Sequence, residues 1–351
     1  MKLSKLKSLV TLFSLVLLSA CVLAGPPPTG YHLLKKISIS AAPGGGEYFD
    51  YITVDAASRR VYVSQGTVVN VLDADTGSQV GTIEGLQRCH GIAVVDELGE
   101  GFVTDGGSGK VIVFDTKTFR ITGEIKAESD ADFILYDSAS KRVFSFNGHS
   151  KNATVIDAAK RTVVATISMG GIPEQAVSDG NGTIYDNIED TNEVVAIDSR
   201  TAQTKTRWSL APVAGQLVSI AMDREHRRLF IGGRNPKTLV VVNADNGKVL
   251  QSFPIGDRVD ATVFDPESKL VAASTREGTI HVFHEDSPDR FSSRETVKTE
   301  FGAKTMALDP QTHYLLTDTS DFKTSSVATP QDPNPQPTAI RGSLHLMIYT
   351  P

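Results

Sequence analysis

Seven short apolar segments, each closing on an acidic turn, recur along the chain and constrain its fold more than any other feature. They are Ile52-Thr53-Val54-Asp55, Ile92-Ala93-Val94-Val95-Asp96, Phe133-Ile134-Leu135-Tyr136-Asp137, Ala176-Val177-Ser178-Asp179, Ile220-Ala221-Met222-Asp223, Thr262-Val263-Phe264-Asp265 and Met306-Ala307-Leu308-Asp309. The aspartates are separated by 41, 41, 42, 44, 42 and 44 residues. A fixed period of this length marks a repeated supersecondary unit whose apolar face is buried only by its neighbours.

Within each period the pattern continues. A second strand follows the turn, as in Arg60-Val61-Tyr62-Val63 or Arg228-Leu229-Phe230-Ile231. A third carries its own acidic turn, as in Val71-Leu72-Asp73 or Val155-Ile156-Asp157. A more polar, partly alternating fourth includes Arg161–Ile167. Four short β-branched strands with Gly, Asp or Asn between them make one antiparallel sheet. Seven such sheets specify an all-β fold, a seven-bladed β-propeller. Both series of aspartates read as turn caps, because Asp bonds the backbone two residues on.

The ends fit the same count. Blade seven finds three strands, near Thr305–Leu308, Tyr314–Thr317 and Leu344–Tyr349, and lacks a fourth. An orphan strand, His32–Ile39, stands at the other terminus, and as the outer strand of blade seven it would close the ring and leave no open edge. Residues 31–351 are thus expected to form a single domain. The insertion 323–342 carries prolines at 330, 333, 335 and 337, a poor strand and a candidate mobile flap.

Residues 1–21 read as a signal peptide. Lys2, Lys5 and Lys7 precede a twelve-residue apolar run, too short to span a bilayer. The run ends in Leu18-Ser19-Ala20-Cys21, a bacterial lipobox pattern in which Cys21 would carry the lipid; cleavage after Ala24 is the competing outcome. Residues 22–30 would then be a linker. The expectation is an exported bacterial protein, periplasmic or anchored as a lipoprotein, touching membrane only through that anchor. Losing three lysines and no acid shifts the formal charge from −6 to about −9. That balance disfavours nucleic acid, whose phosphates need clustered Lys and Arg. Cys89 is the one thiol left, so no disulfide supports the fold, and a buried, inert role is expected.

Further segments stand out within the repeats: His90-Gly91-Ile92-Ala93, Asp132–Asp137, Phe146-Asn147-Gly148, Asn187-Ile188-Glu189-Asp190, Arg227–Asn235, Gly256–Ala261 and Thr305–Pro310. Through them the chain resembles the YncE-like family of exported propellers, related to the YVTN-repeat proteins. The resemblance implies a seven-bladed propeller and export, and supplies no chemistry. Val213-Ala214-Gly215-Gln216 of blade five departs from it, being less polar than in such relatives.

Candidate site residues emerge from the repeat itself. The positions that open the innermost strands read Asp50, His90, Asp132, Glu174, Val218, Asp260 and Lys304. Charge sits where strands should begin apolar, and innermost strands converge on the central channel. Loops on the same face add Asp105, Asn147, His149, Asn187, Glu189, Asp190, Arg234, Asn235, Arg276 and Asp318. The ligand-binding candidates are therefore Asp50, His90, Asp132, Glu174, Asp260, Lys304, Asn147, Asn187 and Arg234; no catalytic residue is assigned. These groups could also simply solvate a wet channel. Two carboxylates at ~7 Å, however, repel by roughly 2 kcal/mol at an effective dielectric near 20. Four of them favour a bound cation, a cationic ligand or raised pKa values.

The leading functional expectation is a monomeric, non-enzymatic binding or scaffold protein of the cell envelope, whose partner is a small ligand or an envelope protein. The alternative is a lactonase-like hydrolase holding calcium or magnesium through Asp50, Asp132, Glu174 and Asp260, since hard cations take oxygen ligands. A redox subunit ranks last, because no Cys-x-x-Cys-His is present. Neither is a Gly-x-Ser-x-Gly elbow or a Walker loop.

Overall fold

A computed structural model describes residues 30–44, 47–323 and 336–351. Seven four-stranded antiparallel sheets follow one another in chain order, with neighbouring innermost strands in contact around the ring and blade seven meeting blade one. Blade one, for example, runs Ile52–Asp55, Arg60–Gln65, Val68–Asp73 and Gln79–Glu84 from the channel outward. The seven-bladed propeller expected from the repeat is the fold observed.

Burial follows position in the blade. The second strand of blade four, Thr183–Ile188, is wholly buried, whereas its outer strand Gln203–Ser209 is half-exposed or exposed throughout. The core lies between blades. Phe144, Phe146 and Val155 of blade three pack on Ala176, Ile184 and Val195 of blade four. The turn aspartates do what their spacing suggested: Asp55 Oδ1 accepts from the Ala57 and Ser58 amides, and Asp115 Oδ1 from those of Lys117 and Thr118.

Closure also matches. His32–Ser38 pairs antiparallel with His345–Thr350, giving blade seven the order outer strand, His345–Thr350, Tyr314–Thr319, Met306–Asp309. At the base of the insertion, read from its prolines as a poor strand, Phe322–Lys323 nevertheless pairs with Thr338–Ala339. Packing accounts for this short ladder, because the Phe322 ring meets Phe301 edge-on at 5.1 Å. Residues 324–335, and with them Pro330, Pro333 and Pro335, lie outside the described residues, as do residues 1–21, expected to be a signal peptide, with Cys21. No helix among the described residues is long and apolar enough to cross a membrane.

Candidate functional site

The residues that open the innermost strands gather at one mouth of the channel, and local backbone geometry explains how. Ladder register breaks between Cys89 and Ile92, Ala131 and Ile134, Pro173 and Ala176, Leu217 and Ser219, and Val259 and Ala261. These β-bulges contain His90, Asp132, Glu174, Val218 and Asp260. A bulge re-aims a side chain that regular pleating would direct elsewhere. Asp50 and Lys304 need no bulge, since each stands just before its strand.

Hydrogen bonds from the preceding blade fix the backbone of this ring. Thr104 Oγ1 donates to the Asp132 carbonyl and Ser274 Oγ to that of Lys304. Thr305 Oγ1 donates to the Asp50 carbonyl at 2.6 Å. Asn187 works the same way, its Nδ2 donating to Ser219 O at 3.0 Å. Asn147 spends its amide inside its own blade, on Asn152 Oδ1 and Thr154 Oγ1. Asp105 caps the Gln87 and Arg88 amides. Asn187 and Asp105 thus brace backbone and Asn147 braces neighbouring side chains, while Asn187 Oδ1 is left without a hydrogen-bond partner among the described residues. His149 lies away from the ring and is largely exposed beside Asp130, and Asp190 pairs with Lys151 and caps the Ile172 amide.

Charges alternate around the mouth. His90 Nδ1 lies 3.1 Å from Asp132 Oδ1 and 2.7 Å from Asp50 Oδ2. Lys304 Nζ bridges Asp50 Oδ1 at 2.9 Å and Asp260 Oδ2 at 2.7 Å. Asp260 Oδ1 then accepts from Arg234, whose Nη1 is 3.7 Å from Glu189 Oε1. The mutual repulsion anticipated for four carboxylates is thus largely relieved by the protein's own cations. Four carboxylates do not converge on one point, because the Lys304 ammonium stands between Asp50 and Asp260. The group with ligand atoms within 4.8 Å of one another is instead Asp50, His90 and Asp132.

The electrostatics follow from burial and pairing. Burial penalises ionised Asp50, yet the Lys304 charge and the His90 hydrogen bond outweigh it and hold the carboxyl far below its usual range. Burial also opposes the His90 imidazolium, but bonds to Asp132 and Asp50 raise its pKa to about 9. Desolvation raises Asp132, despite the His90 bond. Glu174 is the exception in the ring: among the described residues it makes no hydrogen bond or ion pair. Burial, followed by the charges of Asp132, Glu189 and Asp260, lifts its pKa well above normal. Behind it, fully buried Asp186 has neither carboxyl oxygen hydrogen-bonded, and burial keeps it protonated far above the usual range.

Sequence reasoning did not find Tyr48 and Tyr51. The Tyr48 hydroxyl donates to Asp50 Oδ2 at 3.1 Å and meets His90 Nδ1 at 3.0 Å, while the Arg88 guanidinium lies 5.0 Å above its ring. Tyr51 contacts Phe133 edge-on at 5.5 Å, and burial plus all four ring acids raise its hydroxyl pKa strongly. An aromatic beside a charged opening position was the available signal. Gly106 is needed for a different reason, since a Cβ there would lie 2.9 Å from His90 Nε2.

The other end of the channel mixes apolar strand residues with the charged turn Asp223-Arg224-Glu225. A cavity of about 600 Å³ opens between innermost strands of blades four to seven, lined by Val177, Ile220, Met222, Val263 and Leu308 among others. A second acidic group, Asp223, His226 and Glu285, lies on that side of the molecule. His226 occupies the third position after the turn aspartate, which Ser58, Ser140 and Ser268 fill elsewhere, and its Nδ1 lies 2.6 Å from Asp223 Oδ2 in the same capping role.

No protein-family model and no curated protein sequence matches the chain. Among solved structures, a chain of the Kuenenia stuttgartiensis hydrazine synthase is similar with a TM-score of 0.69 at 16% identity, over 83% of this chain and 94% of that one. A chain of the mitotic checkpoint complex is similar with a TM-score of 0.73 at 14% identity, over 99% of both chains. Similarity at such low identity shows the propeller fold alone.

Proposed function

We propose that this protein is an exported, YncE-like binding protein of the bacterial envelope, anchored through Cys21, that holds a small ligand at the charged mouth. The ligand presents a positively charged group to Glu174 and Asp132. One observation carries the reading: every other charged ring position is ion-paired within the protein, and Glu174 is not. Burial raises the Glu174 pKa and a bound cation would lower it, so binding is coupled to proton release and strengthens as pH rises. Export is supported by the lipobox pattern and by the family resemblance.

A second reading rests on Asp50, His90 and Asp132, whose ligand atoms lie close enough for one divalent ion. It would place a lactonase-like hydrolase metal at the same mouth, at the expense of the His90 bonds to both carboxylates.

Native mass spectrometry of the mature protein, isolated from the membrane fraction, tests these readings together. A mass beginning at acylated Cys21 and carrying a small organic cation supports the proposal. A stoichiometric divalent metal supports the hydrolase. A soluble product beginning at Gly25 overturns the anchor, and a ligand that remains after Glu174→Gln overturns the site.

A further inference from the structure

Beside the acidic half of the mouth, blades five to seven build the opposite chemistry. A cavity of about 260 Å³ is lined by Arg234, Arg258, Asp260, Arg276 and Lys304, four cations around one carboxylate. Asp260 is shared between Arg234 and Lys304. Arg258 reaches Gln336 Oε1 at 2.9 Å and lies 4.0 Å from Asp257 Oδ2, while its side chain stays about half exposed. Arg276 is left over. Among the described residues its side chain makes no hydrogen bond and no ion pair, and its guanidinium carbon stands 5.8 Å from the centre of the Phe301 ring.

No described side chain takes any of the five Arg276 donors, and three like charges line the same cavity and oppose its charge. Arginine cannot escape by losing its proton. The arrangement is relieved by an incoming oxyanion, whose oxygens match the planar fork of Arg276 and the neighbouring Arg258. The cavity has room for one such group and little more, so the rest of a ligand must extend into the mouth.

We infer that the pocket of Arg234, Arg258, Arg276 and Lys304 is an oxyanion subsite, taking the carboxylate or phosphate end of the ligand. This deepens the reading of the mouth as a binding site and rests on it. The ligand then carries charges of both signs, its cation toward Glu174 and its anion toward Arg276. The loop positions Arg234 and Arg276 were visible in the sequence as same-face residues, but their convergence with Arg258 and Lys304 was not.

Calorimetric titration of the mature protein with inorganic phosphate, and separately with acetate, at constant ionic strength tests the subsite. The two arms distinguish a phosphate from a carboxylate preference. Wild type is expected to bind at least one, and Arg276→Gln to bind it about tenfold more weakly or worse, as for loss of a charged hydrogen bond. Arg276 makes no internal ion pair, so this variant should fold; Arg258→Gln provides an independent second test. Phosphate stabilises proteins generally by exclusion from their surface, and an equal response of wild type and both variants would overturn the subsite. If that happens while cation binding still depends on Glu174, the oxyanion subsite fails and the binding mouth stands. If oxyanion binding needs Arg276 but no cation responds to Glu174, the cationic half fails instead.

Discussion

Lys304 Nζ stands 2.9 Å from Asp50 Oδ1 although 254 residues separate the two in sequence. The contact ties blade seven to blade one at the channel, while the strand His32–Ser38 ties the chain ends at the rim. The same ammonium holds Asp260 of blade six, so three blades share one charge.

Replacing Lys304 with Met should therefore destabilise the protein by up to about 3 kcal/mol, because Asp50 is left to His90 and Tyr48, and Asp260 to Arg234 alone. Asp260→Asn should cost less in that background than in wild type, since its pair with Lys304 is already gone. Urea unfolding of both single variants and the double variant measures the difference.

His90 gives the mouth a pH dependence of known sign. Its pKa is raised to about 9 in the folded state, against about 6.5 for a free imidazole. The stability it contributes is complete below pH 6.5 and fades as pH rises through 9. His90→Gln should consequently cost most at pH 6, on the order of 3 kcal/mol, and least near pH 9.5. Melting curves across that range would show whether the gap between variant and wild type closes.

Asp318 adds a pH dependence of the same sign over a lower range, here as a penalty that grows with pH. Burial lifts its pKa to about 7, outweighing the Thr305 hydrogen bond. Between pH 4 and 7 the folded state keeps a proton that the unfolded chain has lost, so stability falls with rising pH. Asp318→Asn should remove roughly 1.4 kcal/mol of that loss per pH unit across the window. The variant should equal wild type near pH 4 and melt higher at pH 8.

The blade count, the strand order and the closing strand were legible because they depend on period-two patterning and turn chemistry, both local. Asp55 and Asp115 illustrate this: their caps span only two or three residues. The ring residues were legible too, as charges breaking an apolar pattern at Asp50, His90, Asp132, Glu174, Asp260 and Lys304. Their pairing was not. Whether Lys304 turns to Asp50 and Asp260 depends on bulges and on hydroxyls such as Thr104 and Ser274 from neighbouring blades. Asn147 and Asn187 looked like ligands for the same reason; nothing local shows that their amides are already bonded.

Closure offers a simple truncation test. A chain beginning at Glu47 would lack His32–Ser38 and leave His345–Thr350 as an open edge. It should lose several kcal/mol through the missing ladder and burial, and become prone to association. Unchanged melting, with no change in oligomeric state by light scattering, would show that the outer strand does not hold the ring.

The central claim is that the Glu174 side of the mouth receives a positive group, and thermal stabilisation measures it most directly. Wild type and the Asp132→Asn/Glu174→Gln variant are melted with polyamines, amino acids, calcium and magnesium, at pH 6 and pH 8. A ligand at a hundred times its Kd adds about 2.7 kcal/mol. The account predicts that an organic amine or zwitterion stabilises wild type, more at pH 8 than at pH 6, and leaves the variant unmoved. Equal shifts in both proteins, or a panel that moves neither, would contradict it.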